Sequence, residues 1–169
     1  QGSNSPTNFI FVDANTLAIG TVDGKDGITF TGGQVNLTAT TGGITVSNTL
    51  AAFDIDTGTT TGQVRLTAGG VDQTVAIVGD VRSGSTTFYI ADHMTLTGTT
   101  TARTGIVLRP NSSGQLTTDL GGADAVGVLG LTNAELNTII TTASINIVAT
   151  GTENMTVTHN TQTLPYPCK

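Results

Sequence analysis

Asp54 and Asp56 stand two apart in Phe53-Asp54-Ile55-Asp56, so on a β-strand both carboxylates point to one face. Two neighbouring carboxylates can hold a cation. Calcium takes about six to eight oxygens, and no acidic run flanks this pair. The nonapeptide pattern of calcium-binding β-rolls is absent too. The expectation is a solvated acidic pair, with a weak calcium site at Asp54 and Asp56 as the alternative. His93 and His159 are the only histidines, far apart and without His or Cys at metal-ligand spacing. They read as two outward-facing strand histidines.

Other chemistries lack their parts. Gly24-Lys25 has no glycine five residues before it and is followed by Asp26, so it is not a phosphate-binding loop. The glycine-rich stretch Gly121-Gly122-Ala123-Asp124-Ala125-Val126-Gly127 lacks G-x-G-x-x-G spacing and reads as a flexible bulge. No serine sits in a G-x-S-x-G elbow. Cleavage of acidic sugars needs carboxylates with Lys or Arg on one face; here Arg65, Arg82, Arg103 and Arg109 are scattered and there are two glutamates. Cys168, alone in the terminal Leu164-Pro165-Tyr166-Pro167-Cys168-Lys169, is a candidate intermolecular thiol. No catalytic residue and no cofactor is expected.

Binding is the remaining possibility. Glycan recognition favours aromatic platforms, and Phe88-Tyr89 is the one adjacent aromatic pair. Strand alternation with Phe88 inward would expose Tyr89 as a surface contact. The Thr-x-Thr pairs, such as Thr95/Thr97 and Thr99/Thr101, invite an ice-binding reading. With 36 threonines in 169 residues, however, such pairs arise by composition alone. The sequons at Asn36, Asn111 and Asn154 are equally uninformative.

The same composition decides the fold class. Threonine and 22 glycines disfavour helices, while Thr, Val and Ile suit a pleated sheet. The slightly positive mean hydropathy, +0.12, argues against disorder. Net charge −6 with six scattered basic residues disfavours nucleic acid and anionic membrane surfaces. No apolar run reaches the roughly 18–20 residues of a membrane-spanning helix. The first residues, Gln1-Gly2-Ser3-Asn4-Ser5-Pro6, show no secretory signal, so in an exported chain the signal was removed or lies upstream.

Repeats give the organisation. Gln34-Val35-Asn36-Leu37-Thr38-Ala39 returns 29 residues on as Gln63-Val64-Arg65-Leu66-Thr67-Ala68, and His93-Met94-Thr95-Leu96-Thr97-Gly98 follows 30 residues later. Each alternates apolar and polar with period two. Shorter runs at Ile28–Phe30, Ile44–Val46, Phe53–Ile55, Val75–Ile77, Ile106–Leu108, Ile145–Ile147 and Met155–Val157 fill the intervals. A sandwich or barrel is the competing architecture, but only Asp23-Gly24 and Asp26-Gly27 suit tight hairpins and the chain has just seven aromatics. A β-solenoid with one domain over 9–160 fits better, between an extension at 1–8 and a tail at 161–169. One stretch breaks the beat. Thr132-Asn133-Ala134-Glu135 is a capping box, Leu131 and Leu136 sit at staple positions, and Leu136, Ile139, Ile140 and Ala143 share a helical face. A short helix over 132–140, docked on the solenoid side, is predicted.

These residues carry a resemblance. Asn15–Gly24, Gln63–Gly70 and Ile106-Val107-Leu108-Arg109-Pro110 resemble repeats of filamentous-haemagglutinin-like large exoproteins. Asp119-Leu120-Gly121-Gly122-Ala123-Asp124 followed by Leu129-Gly130-Leu131-Thr132-Asn133-Ala134-Glu135-Leu136 is similar to the more specific "DLGGAD … LGLT-x-AEL" element of those bacterial surface proteins. The likeness spans residues 9 to 158. It implies a right-handed parallel β-helix at the bacterial surface, serving as an adhesin shaft, with no catalytic residues. The absence of a recognisable cap at either end leads to the expectation of end-to-end continuation, in a longer polypeptide or a filament. A host or matrix glycan is the alternative partner.

Overall fold

The computed structural model describes residues 8–49, 51–112 and 117–148, with the backbone of 155–157. The chain is almost entirely β and visits three sheets in rotation. The first pass lays down β1 (Asn8–Asp13), β2 (Leu17–Ile19), a small hairpin of β3 (Thr21–Val22) and β4 (Lys25–Asp26), and β5 (Ile28–Thr29). The second gives β6 (Gln34–Ala39), β7 (Ile44–Val46) and β8 (Ile55–Asp56). The third gives β9 (Gln63–Ala68), β10 (Thr74–Ile77) and β11 (Val81–Ser83), and the fourth β12 (Thr86–Ile90), β13 (His93–Leu96) and β14 (Thr100–Ala102). The fifth is longer: β15 (Gly105–Arg109), β16 (Thr117–Leu120), β17 (Val128–Leu131), helix α1 (Asn133–Leu136) and β18 (Ile139–Thr141). β19 (Ile145–Ile147) and β20 (Met155–Val157) follow.

Sheet 1 stacks β1-β6-β9-β12-β15-β19, sheet 2 stacks β2-β7-β10-β13, and sheet 3 stacks β5-β8-β11-β14-β18. Every neighbouring pair in these three sheets is parallel. Strand β16 lies between β17 and β20 in a fourth, three-stranded parallel sheet. The one antiparallel strand pair among the described residues is the β3–β4 hairpin, turned by Asp23 and Gly24, both at positive φ. That is the Asp-Gly turn the sequence marks out.

The echo of Gln34–Ala39 in Gln63–Ala68 is a register: each residue of β6 faces its counterpart in β9. Val35, Leu37 and Ala39 thereby stack on Val64, Leu66 and Ala68, all fully or nearly fully buried. The third echo behaves differently. His93–Leu96 belongs to sheet 2, beside Thr74–Ile77, and the next strand of sheet 1 is Thr86–Ile90. Chain separations between hydrogen-bonded positions on adjacent passes vary from 18 to 40 residues, because corner loops differ in length while strands stay aligned. A fixed period therefore misassigns that strand.

The helix also differs from expectation. Thr132 is its N-cap and the capping box is complete, as the sequence predicts. However, the helix ends at Leu136, and Ile139–Thr141 forms β18 against Thr100–Ala102. Pairing satisfies the free edge of β14 as well as the backbone of these β-branched residues, whereas a second helical turn would leave that edge unpaired. Leu136 and Ile139 pack on the core, whereas Ile140 faces outward.

Candidate functional site

Asp54 and Asp56 form no common site. Asp54 is buried at a corner: Oδ1 accepts from Thr49 N (2.9 Å) and from the Thr49 hydroxyl, and Oδ2 accepts from Asp80 N (2.8 Å). Asp80 repeats the arrangement one pass on, its Oδ1 accepting from Thr99 N at 2.7 Å. The chain packs so closely here that a Cβ on Gly79 would collide with Asp54 Oδ2. Asp56 instead faces its sheet 3 neighbour Arg82, which donates from Nε (2.9 Å) and Nη2 (2.6 Å). The Arg82 hydrogen bond holds the Asp56 carboxyl below the usual carboxylate range and raises the guanidinium in turn. The Arg82 guanidinium also lies 4.2 Å from the Phe53 ring centroid, a cation–π contact. The expected solvated pair is thus two separately satisfied carboxylates, one a corner brace and the other an ion pair.

Tyr89 is not a surface contact. Register aligns it with Leu66 and Leu108, in the inward column, and turns Phe88 outward beside Arg65 and Val107. The phenol is fully buried, and its hydroxyl meets Thr100 Oγ1 of sheet 3 at 2.8 Å. Burial pushes its pKa well above the ordinary phenol value. The Arg65 guanidinium sits 5.7 Å from the outward Phe88 ring. The adjacent pair is decided by its neighbours, which the dipeptide does not contain.

A fully buried carboxylate was not anticipated at Asp92, in the bend between β12 and β13. It accepts from Asp72 N (3.0 Å), Asn111 N (3.0 Å), Ser112 N (2.7 Å) and the Ser112 hydroxyl. Three successive passes are tied at that one side chain. His93 lies on the outer side of β13 but is largely covered, with Nε2 3.5 Å from Asp72 Oδ1 and Nδ1 3.6 Å from Asp124 Oδ1. Burial raises the Asp124 pKa, outweighing the hydrogen bonds from Gly130 N and Met94 N and the charge of His93. His159 and Cys168 lie outside the described residues.

The glycine-rich stretch is packed and structured. Gly121 and Gly127 adopt positive φ, and a Cβ on Gly130 would strike the backbone of Ala123. That contact brings Asp124 Oδ1 to 2.7 Å from Gly130 N. Leu129 and Leu131 of β17 enter the main core. The whole element is thus folded onto the stack.

The two ends of the stack differ. At the β1 end, Phe9 and Phe11 continue the inward columns of Val35 and Leu37 with no strand beyond them among the described residues, and they are 38% and 43% exposed. With Leu17, Ile19, Val22 and Ile28 they line an apolar recess of about 210 Å³. Among the described residues, no three His, Cys, Asp or Glu side chains gather as a metal set, and no helix is long and apolar enough to cross a membrane. No family model, curated protein or solved structure matches the chain.

Proposed function

We propose that this chain is a non-catalytic structural segment: a right-handed parallel β-solenoid acting as a stiff shaft in a secreted or bacterial cell-surface adhesin or filament. One observation carries the reading. Six strands from β1 to β19 follow one another in chain order across sheet 1, all parallel, with aliphatic columns in register on one side. A stack of this kind resists bending because each pass is hydrogen-bonded to the next along its length, and it leaves free strand edges at its two ends. The apolar recess beside β1 supports end-to-end association, since another β-structured surface placed there would cover Phe9 and Phe11.

The residues that could do chemistry are engaged in structure, which supports the non-catalytic part. Asp54, Asp92 and Asp124 accept backbone N–H groups, and Asp56 pairs with Arg82. The resemblance to filamentous-haemagglutinin-like exoproteins supports the surface location. A glycan- or protein-binding adhesin module is the second reading, with Phe88 in place of Tyr89 as the outward aromatic of β12. Ice binding has less support: the outward column of sheet 3 reads Thr29, Asp56, Arg82, Thr101, Ile140, and in sheet 1 the Thr38–Thr67 pair is followed by Ile90, so no long threonine column forms in either.

Size-exclusion chromatography with electron microscopy tests the shaft. Rods or end-to-end chains are expected, and a compact monomer at every concentration would overturn it. A glycan array tests the second reading, with hits lost in Phe88→Ala as the expected result.

A further inference from the structure

Sheet 2 ends at β13, whereas sheets 1 and 3 run on to β19 and β18. In the fifth pass no described strand pairs with β13; β17 and α1 lie against it without joining its sheet. In a parallel sheet, successive backbone amides of a strand point to opposite neighbours. His93 N bonds back toward the third pass, to Gln73 O, so Met94 N and Leu96 N point to the open side. Both amides find carboxylates. Met94 N donates to Asp124 Oδ2 at 3.0 Å, and Leu96 N donates to Glu135 Oε1 at 3.3 Å.

Each carboxylate is anchored by its other oxygen. Asp124 Oδ1 accepts from Gly130 N, while Glu135 Oε2 accepts from Thr132 N (2.9 Å) and Thr132 Oγ1 (2.8 Å). The capping box of α1 thereby does double duty, since the glutamate that closes the helix start also reaches the sheet edge. Two amides on alternate residues of one strand are about 6.6 Å apart, and two side chains from separate turns meet that spacing. A carboxylate accepts but cannot donate. It satisfies an edge N–H without offering the alternating donors and acceptors that an added strand requires. Its charge also repels the carbonyls of such a strand.

We propose that Asp124 and Glu135 form an edge guard: they stand in for the missing strand of sheet 2 and deny that edge to a strand of a second copy. This goes beyond the shaft reading and holds whether or not the molecule builds one. The guard covers the edge of sheet 2 alone, since sheets 1 and 3 continue to β19 and β18.

Residue-resolved amide hydrogen exchange on the full chain, combined with sedimentation velocity, tests it. In the parent, the Met94 and Leu96 amides should be protected despite lying on a terminal strand; exchange at the free-peptide rate overturns the proposal. Asp124→Ala should speed Met94 exchange at least about tenfold while Leu66 and Val75 stay protected. Glu135→Ala should do the same at Leu96. Asp124→Asn and Glu135→Gln keep an acceptor oxygen and should retain most of the protection. Unchanged exchange in both alanine variants overturns the guard. At equal concentration the double alanine variant should sediment as larger β-rich multimers than the parent; a parental sedimentation profile with both amides exposed overturns the claim about a second copy. Should the double variant unfold, the same comparison is made on Asp124→Ala alone. A parent without rods whose Met94 amide still depends on Asp124 removes the shaft and leaves the guard standing.

Discussion

The Tyr89 hydroxyl and Thr100 Oγ1 lie 2.8 Å apart inside the molecule and link sheet 1 to sheet 3 through otherwise aliphatic packing. Both side chains are fully buried, so each hydroxyl depends on the other. Removing either leaves a buried polar group alone, which costs more than the bond itself is worth. Tyr89→Phe and Thr100→Val should each destabilise by about 1–2 kcal/mol, and the double variant by less than their sum. A double-mutant cycle by urea unfolding measures the coupling.

The same tyrosine sets an alkaline limit. Burial raises its folded-state pKa above the ordinary phenol value of about 10. Above that pH the unfolded chain releases a proton that the folded chain retains, so stability falls as pH rises. Below it the effect vanishes. Unfolding free energies measured from pH 8 to 11 should decline in the parent, and Tyr89→Phe should lack that part of the slope.

Asp56 works in the opposite sense. Its folded pKa lies below the ordinary value of about 3.9, so the Arg82 pair contributes above that pH and is lost as pH falls through the depressed folded value. Asp56→Asn should cost about 1 kcal/mol at pH 7, given the partial exposure of both groups. The difference between parent and variant should close on acidification to about pH 2, as followed by thermal unfolding.

Thr87 offers the clearest route to stabilisation. It occupies an inward column between Val64 and Ile106, fully buried, and its hydroxyl has no hydrogen-bond partner. Thr87→Val replaces that hydroxyl by a methyl of similar size. The expected gain is about 1 kcal/mol, read as a higher urea midpoint with an unchanged denaturant slope.

Asp92 should be among the least replaceable side chains. Asp92→Ala removes the shared acceptor of the Asp72, Asn111 and Ser112 amides, at about 2 kcal/mol. Asp92→Asn keeps one acceptor oxygen and should lose less. Equilibrium unfolding of the two variants distinguishes them.

The amino-acid sequence determined the all-β class, about half of the strands and the helix start. These are local quantities: threonine and β-branched residues favour extended backbone, period-two alternation marks a half-buried strand, and the Thr132–Glu135 box is contained within four residues. It also determined the pairing of Gln34–Ala39 with Gln63–Ala68, where near-identity carries the register.

Tertiary structure alone decided the rest, because passes of unequal length make partners of residues at no constant spacing. It assigned His93–Leu96 to sheet 2, turned Tyr89 inward and gave Asp54 and Asp56 separate partners. It ended the helix where Ile139–Thr141 pairs with the otherwise open edge of β14. It also brought Asp124 and Glu135, eleven residues apart in the chain, to alternate amides of one strand. Which hydrogen bonds a carboxylate or an edge amide makes depends on what lies across the gap, and a linear sequence does not contain that distance.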